Sequence, residues 1–185
     1  METASNFLFH RDARLAVYHG DACEVLPLLA LGEMFCFTAP PEGIRCIEIL
    51  RQCRGAVVYT ANEIIFRQYW QTGWRHLIAE HRSSLFFSEQ GSRIFTNMLA
   101  TCPDGLDVWF DCSISIMAAD SEPGYHLAAR AIREMCHSPT VIDPFAGQGS
   151  TIKAALDLGL NAIAIDNRIE CCAQIVENYR LTPTL

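Results

Sequence analysis

Along the chain, short apolar runs bounded by glycine, proline and acidic residues interleave with longer stretches whose apolar positions recur every three or four residues. That is the pattern of strands alternating with helices. Leu15-Ala16-Val17-Tyr18-His19 predicts a strand closed by Gly20-Asp21, and residues 22–29 a short helix interrupted by Pro27. Met34-Phe35-Cys36-Phe37-Thr38 predicts a buried strand. It must stop at Ala39-Pro40-Pro41-Glu42-Gly43, because two prolines neither pair in a sheet nor continue a helix. Farther on, residues 44–53 and 63–72 predict helices, residues 56–60, 74–80, 84–88 and 108–116 predict strands, and residues 91–107 a connection turning at Pro103-Asp104-Gly105. Residues 125–137 predict a helix leading into a strand at Val141, residues 151–158 a helix stopped by Gly159, and Ala162-Ile163-Ala164-Ile165 a strand ending in Asp166. The alternation favours a single α/β domain with a largely parallel sheet covered on both faces.

Candidate chemistry concentrates at Val141-Ile142-Asp143-Pro144-Phe145-Ala146-Gly147-Gln148-Gly149-Ser150-Thr151. An apolar strand end runs through two glycines into a helix. Glycine takes positive φ and lets a ligand approach the backbone, while the helix start directs unpaired N–H groups at the same place. Two glycines alone are also common in purely conformational loops; the strand before, the helix after and Asp166 at the next strand end favour the ligand reading. Asp166 stands where an acid accepts hydrogen bonds from ribose hydroxyls. The spacing is not G-x-G-x-x-G, which argues against a nicotinamide or flavin dinucleotide and leaves a mononucleoside-type ligand open.

Composition narrows the setting. In 185 residues, half of them apolar, a substantial core can form. The nine cysteines have no C-x-x-C spacing and, with six histidines, no metal-ligand pattern, so no metal site is predicted and the thiols read as reduced, in a cytoplasmic protein without a membrane span. The net charge of −7 disfavours tight autonomous binding to a polyanion, although residues 43–95 carry seven arginines against four glutamates. Within them Arg67, Arg75 and Arg82, together with Arg93, interleave with Trp70 and Trp74, an arrangement suited to phosphates and bases or equally to a core with a basic rim. Lys153, the one lysine, reads as an exposed helix residue.

Three segments, 18–26, 37–42 and 141–166, together resemble the permuted β class of amino-group DNA methyltransferases, which methylate adenine N6 or cytosine N4. The resemblance implies a Rossmann-like S-adenosylmethionine-dependent fold in circularly permuted motif order, the substrate-side half preceding the cofactor half, with DNA or another nucleic acid as partner. It assigns Asp143, Phe145, Gly147, Gly149, Ser150 and Thr151 to the methionine side of the cofactor, Asp166 to the ribose and Asp21 to the neighbourhood of the adenine amino group. Residues 125–134 resemble the helix that closes over the methionine moiety. Thr38, Ala39, Pro40, Pro41 and Glu42 correspond to the catalytic loop.

That loop departs from the family pattern. An Asp, Asn or Ser ordinarily precedes Pro-Pro and accepts a hydrogen bond from the target amine, and an aromatic residue follows and stacks on the flipped base. Here the two positions are Ala39 and Glu42. Thr38 or Glu42 could serve as acceptor if the loop shifted by one residue, and the Pro40 carbonyl could hold one amine proton. With only residues 83–116 left for target recognition and no separate recognition domain, sequence-specific readout would call for a homodimer or a protein partner. Three readings stay open: an active DNA methyltransferase, a catalytically inactive cofactor-binding subunit that regulates a partner, and a methyltransferase of another substrate.

Overall fold

A computed structural model describes residues 3–39, 41, 49, 52–60, 97–101 and 123–181. The expected elements at 63–72, 74–80, 84–88 and 108–116, nearly all of 44–51, the turn at Pro103, and the four rim arginines with Trp70 and Trp74 lie outside them.

In chain order the described elements are β1 (Leu8–Arg11), β2 (Leu15–His19), α1 (Ala22–Val25), β3 (Met34–Thr38), β4 (Gly55–Thr60), β5 (Asn97–Thr101), α2 (Pro123–Met135), β6 (Thr140–Asp143), α3 (Ser150–Asp157), β7 (Asn161–Asp166) and α4 (Ile169–Leu181). The strands form one sheet in the order β1-β2-β7-β6-β3-β4-β5. Pairing is parallel from β2 through β4 and antiparallel at both outer pairs, β1 with β2 and β4 with β5.

Central strands of a parallel sheet are buried on both faces, so their side chains sort by period two into two cores. Leu15, Val17, Phe35, Phe37 and Val141 pack with Ala128, Ala131 and Ile132 of α2, Ile152 and Ala155 of α3, and Cys172, Ile175 and Val176 of α4. The alternate positions Ala16, Tyr18, Cys36, Ile142 and Ile165 pack on the other face with Ala22, Val25, Leu26, Leu31 and Cys53. Pro27 has the effect anticipated for it: α1 stops at Val25 and the chain continues as a 3-10 turn over Leu26–Leu28.

Two strands and a helix arise where the sequence pattern gives other expectations or none. β1 is an outer strand with Leu8 and Phe9 exposed, so it lacks the buried alternation that marks a strand. β5 falls inside the predicted connection 91–107; its strand character comes from pairing along β4, from Ala56↔Thr101 to Thr60↔Asn97. Helix α4 carries Cys172, Ile175, Val176 and Tyr179 at helical spacing and covers β2 and β7.

β7, which follows β6, lies on one side of it, whereas β4, which follows β3, lies on the opposite side of β3. The chain therefore reverses its winding between β6 and β3. In open α/β sheets the crevice beyond the carboxyl ends at such a reversal is where ligands bind.

Candidate active site

Asp143 ends β6 at this reversal, and Thr38 ends β3 beside it. Both are buried, at 4% and 0% exposure, and the Thr38 hydroxyl donates to Asp143 Oδ1 at 2.7 Å. The Phe145 N–H donates to the same oxygen at 3.1 Å, and Thr151, buried in the first turn of α3, also bonds this carboxylate. Burial pushes the Asp143 pKa up, and the bonds from Thr38, Thr151 and Phe145 offset part of that rise. Three chain segments are thereby joined at one carboxylate. The Thr38 hydroxyl is committed to Asp143 and turned inward; the next described loop residues, Ala39 and Pro41, are exposed at the mouth of the crevice, while Pro40 and Glu42 lie outside the described residues.

The glycine turn follows. Ala146 N–H bonds to Ile165 O at 3.0 Å, tying the turn to β7, and Gly149 N–H closes it on Ala146 O at 2.8 Å. Gly147 and Gly149 both have positive φ, 54° and 86°, but for different ends. A Cβ on Gly149 would stand 2.8 Å from Ile175 Cγ1, so this glycine admits α4 against the turn. A Cβ on Gly147 would meet nothing nearer than Arg168 Nη2 and Phe145 O, each at 3.9 Å, so that glycine is not closed in by packing. Gly149 is also the N-cap of α3 and supplies no side-chain cap, leaving the first N–H groups of the helix to a ligand. α2 begins beside it, since a Cβ on Gly124 would lie 3.4 Å from Ser150 Cβ. Tyr125 Oη donates to Asp157 Oδ2 at 2.7 Å and joins α2 to α3, while Lys153 Nζ donates to the same oxygen at 2.7 Å within α3. Lys153 is thus half-exposed, as its position predicts, and structural.

Asp166 ends β7 and is 4% exposed. Its carboxylate accepts from Gly147 N–H at 2.8 Å and from Arg168 through the backbone N–H at 2.9 Å, Nε at 3.0 Å and Nη2 at 3.2 Å. Burial acts to raise its pKa, but the bonds from Arg168 and Gly147 outweigh burial and hold it below the usual aspartate value. His19, at the end of β2, pairs in register with Asp166, and Gly20 N–H bonds to Asp166 O at 3.1 Å. Asp21 therefore comes to the same edge; it is exposed and caps α1 by accepting from Cys23 N–H at 2.7 Å.

The sheet thus gathers Asp21, Thr38, Ala39, Asp143, Phe145, Gly147, Gly149, Ser150, Thr151 and Asp166 along one carboxyl edge. Sequence reasoning did not find Arg168 or Ile175. An arginine two residues after a strand-end acid was the available signal for the first; the helical spacing of α4 was the signal for the second.

Residues 122–177 match the family model described as DNA methylase, a span covering α2, β6, the glycine turn, α3, β7 and most of α4. Among curated proteins no sequence matches. Among solved structures, M1.HpyAVI in complex with S-adenosylmethionine is 16% identical with a TM-score of 0.52, over 89% of this chain and 99% of that one. TTHA0409 of Thermus thermophilus, a candidate DNA modification methylase complexed with S-adenosyl-L-methionine, is 17% identical with a TM-score of 0.55, over 94% and 98%. PvuII DNA methyltransferase, cytosine-N4-specific, is 11% identical with a TM-score of 0.53, over 93% and 88%. At these identities the structural likeness is one of fold, that of the S-adenosylmethionine-dependent methyltransferases. The family model thus matches the part of the chain that carries the glycine turn, residues 122–177, and the solved structures share its fold.

Proposed function

We propose that this chain is an S-adenosylmethionine-dependent DNA methyltransferase acting on an exocyclic amine of adenine or cytosine. The observation that carries the reading is the buried Thr38–Asp143 bond, which joins the strand leading to the Ala39-Pro40-Pro41 loop to the strand leading to the glycine turn. A cofactor seated on that turn and an amine presented at that loop would meet at the winding reversal, where such sheets bind ligands.

The residues fit the cofactor. Gly147 leaves a cradle that a Cβ would begin to fill, the uncapped start of α3 and the adjoining start of α2 suit a carboxylate, and Asp166 and Asp21 lie where ribose hydroxyls and an adenine amine need acceptors. S-Adenosylmethionine, when bound, supplies an electrophilic sulfonium methyl. Held at the glycine turn and by Asp166, the cofactor would supply that methyl to the amine nitrogen. The protein's contribution is to orient the amine lone pair and exclude water. Ala39 offers no side-chain acceptor for that task, which leaves the backbone carbonyl of Pro40; losing a positioned acceptor costs on the order of 10²- to 10⁴-fold in rate. A second copy or a protein partner would add to target readout.

Ala39 also favours a second reading, a cofactor-binding subunit that regulates an active methyltransferase. Transfer of labelled methyl groups to DNA, assayed for the chain alone and for the double variant Ala39→Asp, Glu42→Tyr, separates the two. Slow transfer by the chain itself, accelerated in the variant, supports the enzyme. No transfer by either protein, with S-adenosylhomocysteine binding intact, supports the regulatory subunit.

A further inference from the structure

The acid at the end of β7 has its bonding capacity filled from within the chain. A carboxylate offers about four lone-pair directions. Asp166 Oδ1 takes the Arg168 N–H and Nε, and Oδ2 takes the Gly147 N–H and Arg168 Nη2. These donors are of two kinds. The N–H groups of Gly147 and Arg168 belong to turns of the main chain, and a ligand must leave them in place. Nε and Nη2 belong to one side chain that is 61% exposed, with Nη2 only 3.9 Å from where a Cβ on Gly147 would stand. The guanidinium thus lies over the open face of the glycine turn. A ribose held by a strand-end acid donates through its hydroxyls. Two removable donors occupy the positions that those hydroxyls need.

We propose that Arg168 is a self-cap on the ribose-binding carboxylate: its guanidinium and the ribose hydroxyls compete for the same two acceptor positions, and Arg168 thereby sets the affinity for the nucleoside cofactor. This rests on the cofactor reading above. Binding exchanges two side-chain donors for two hydroxyl donors, while the guanidinium swings into solvent. The Arg168 backbone N–H does not move with it, so Asp166 keeps its orientation in both states. Apparent affinity is the intrinsic affinity reduced to the uncapped fraction. For an ion pair with one exposed partner, that reduction is roughly five-fold.

Calorimetry with S-adenosylhomocysteine, a neutral zwitterion, tests the cap on the whole chain. Wild type, Arg168→Gln and Arg168→Ala are compared at about 50 mM and about 500 mM salt, with thermal melting as the check that each is folded. Both variants should bind roughly five-fold more tightly than wild type at low salt. Salt screens the exposed pair, so wild-type affinity should rise with salt and approach that of the variants, whose own dependence stays flat. Should the glutamine variant, which retains most of the side-chain stem, bind equally or more weakly, the cap is overturned and the cofactor reading stands. Absence of binding by all three proteins overturns the cofactor reading, and the cap with it.

Discussion

The ends of β6 and β7 are neighbours, and each finishes on an aspartate 4% exposed, yet the two carboxyl pKa values are shifted in opposite directions. Asp143 is met by neutral donors, the hydroxyls of Thr38 and Thr151 and the Phe145 N–H, and burial dominates, so its pKa is raised. Asp166 is subject to burial too, but a guanidinium and two main-chain N–H groups outweigh it, so its pKa is lowered. The difference lies in what compensates the charge. Neutral donors from three segments, two hydroxyls and one N–H, make Asp143 a joint of the fold, whereas an exposed cation favours the ionised form of Asp166.

The largest effect should come from deleting each acid. Asp143→Ala strands two buried hydroxyls and the Phe145 N–H, and should cost about 3 kcal/mol in urea unfolding. Asp166→Ala releases an exposed guanidinium and the half-buried Gly147 N–H to water; it should cost about 1 kcal/mol and abolish S-adenosylhomocysteine binding. Equal stability losses would erase the distinction between joint and ligand site. Next comes the glycine pair. Gly149→Ala combines a strained φ with a clash on Ile175 and should lose about 3 kcal/mol, whereas Gly147→Ala carries the backbone strain alone, about 1 kcal/mol, with its main loss in cofactor affinity. Thr38→Val removes one donor while keeping shape and strand propensity; a loss of about 1 kcal/mol by urea unfolding is expected.

The pH dependence should separate the acids by window. Asp166, with its pKa lowered in the fold, contributes stability that is present above pH 3.8, the ordinary aspartate value, and is lost as pH falls from there through its folded pKa. Asp143 works in reverse. Between pH 3.8 and its raised folded pKa the native state holds a proton that the unfolded chain has released, so its contribution declines as pH rises through that window. Urea midpoints measured from about pH 3 to 7 should lose the upper decline in Asp143→Asn and the lower one in Asp166→Asn. The same profile in both variants would mean that the two sites are not electrostatically distinct.

Much of this edge was legible from local pattern. β2 and β3 match their predicted residues, and β7 and α3 each begin one residue earlier than predicted. Buried parallel strands read as continuous apolar runs, and glycine and proline mark their ends, so these elements announce themselves. β1 did not, because an outer strand with exposed Leu8 and Phe9 has no buried face to read. β5 did not, because its identity comes from the edge of β4 rather than from its own residues. Among the site residues, Asp166 was legible as a strand-end acid and Asp143 through the family resemblance, but the opposite directions of their pKa shifts were not, because the Thr38, Thr151 and Arg168 side chains that contribute to them are placed by packing.

Taken by itself, the chain determined what local physics controls: an α/β alternation, a strand–glycine–helix turn, an acid at the next strand end, and a proline-bounded loop without a side-chain acceptor at Ala39. Tertiary structure alone decided which of these meet. Thr38 and Asp143 are 105 residues apart and become partners only because β3 lies beside β6 in parallel register. Gly149, whose positive φ already favours glycine, is further constrained because α4 lays Ile175 against it. Sheet order and helix docking are outcomes of burying two faces at once, a property of the whole core that no single segment encodes.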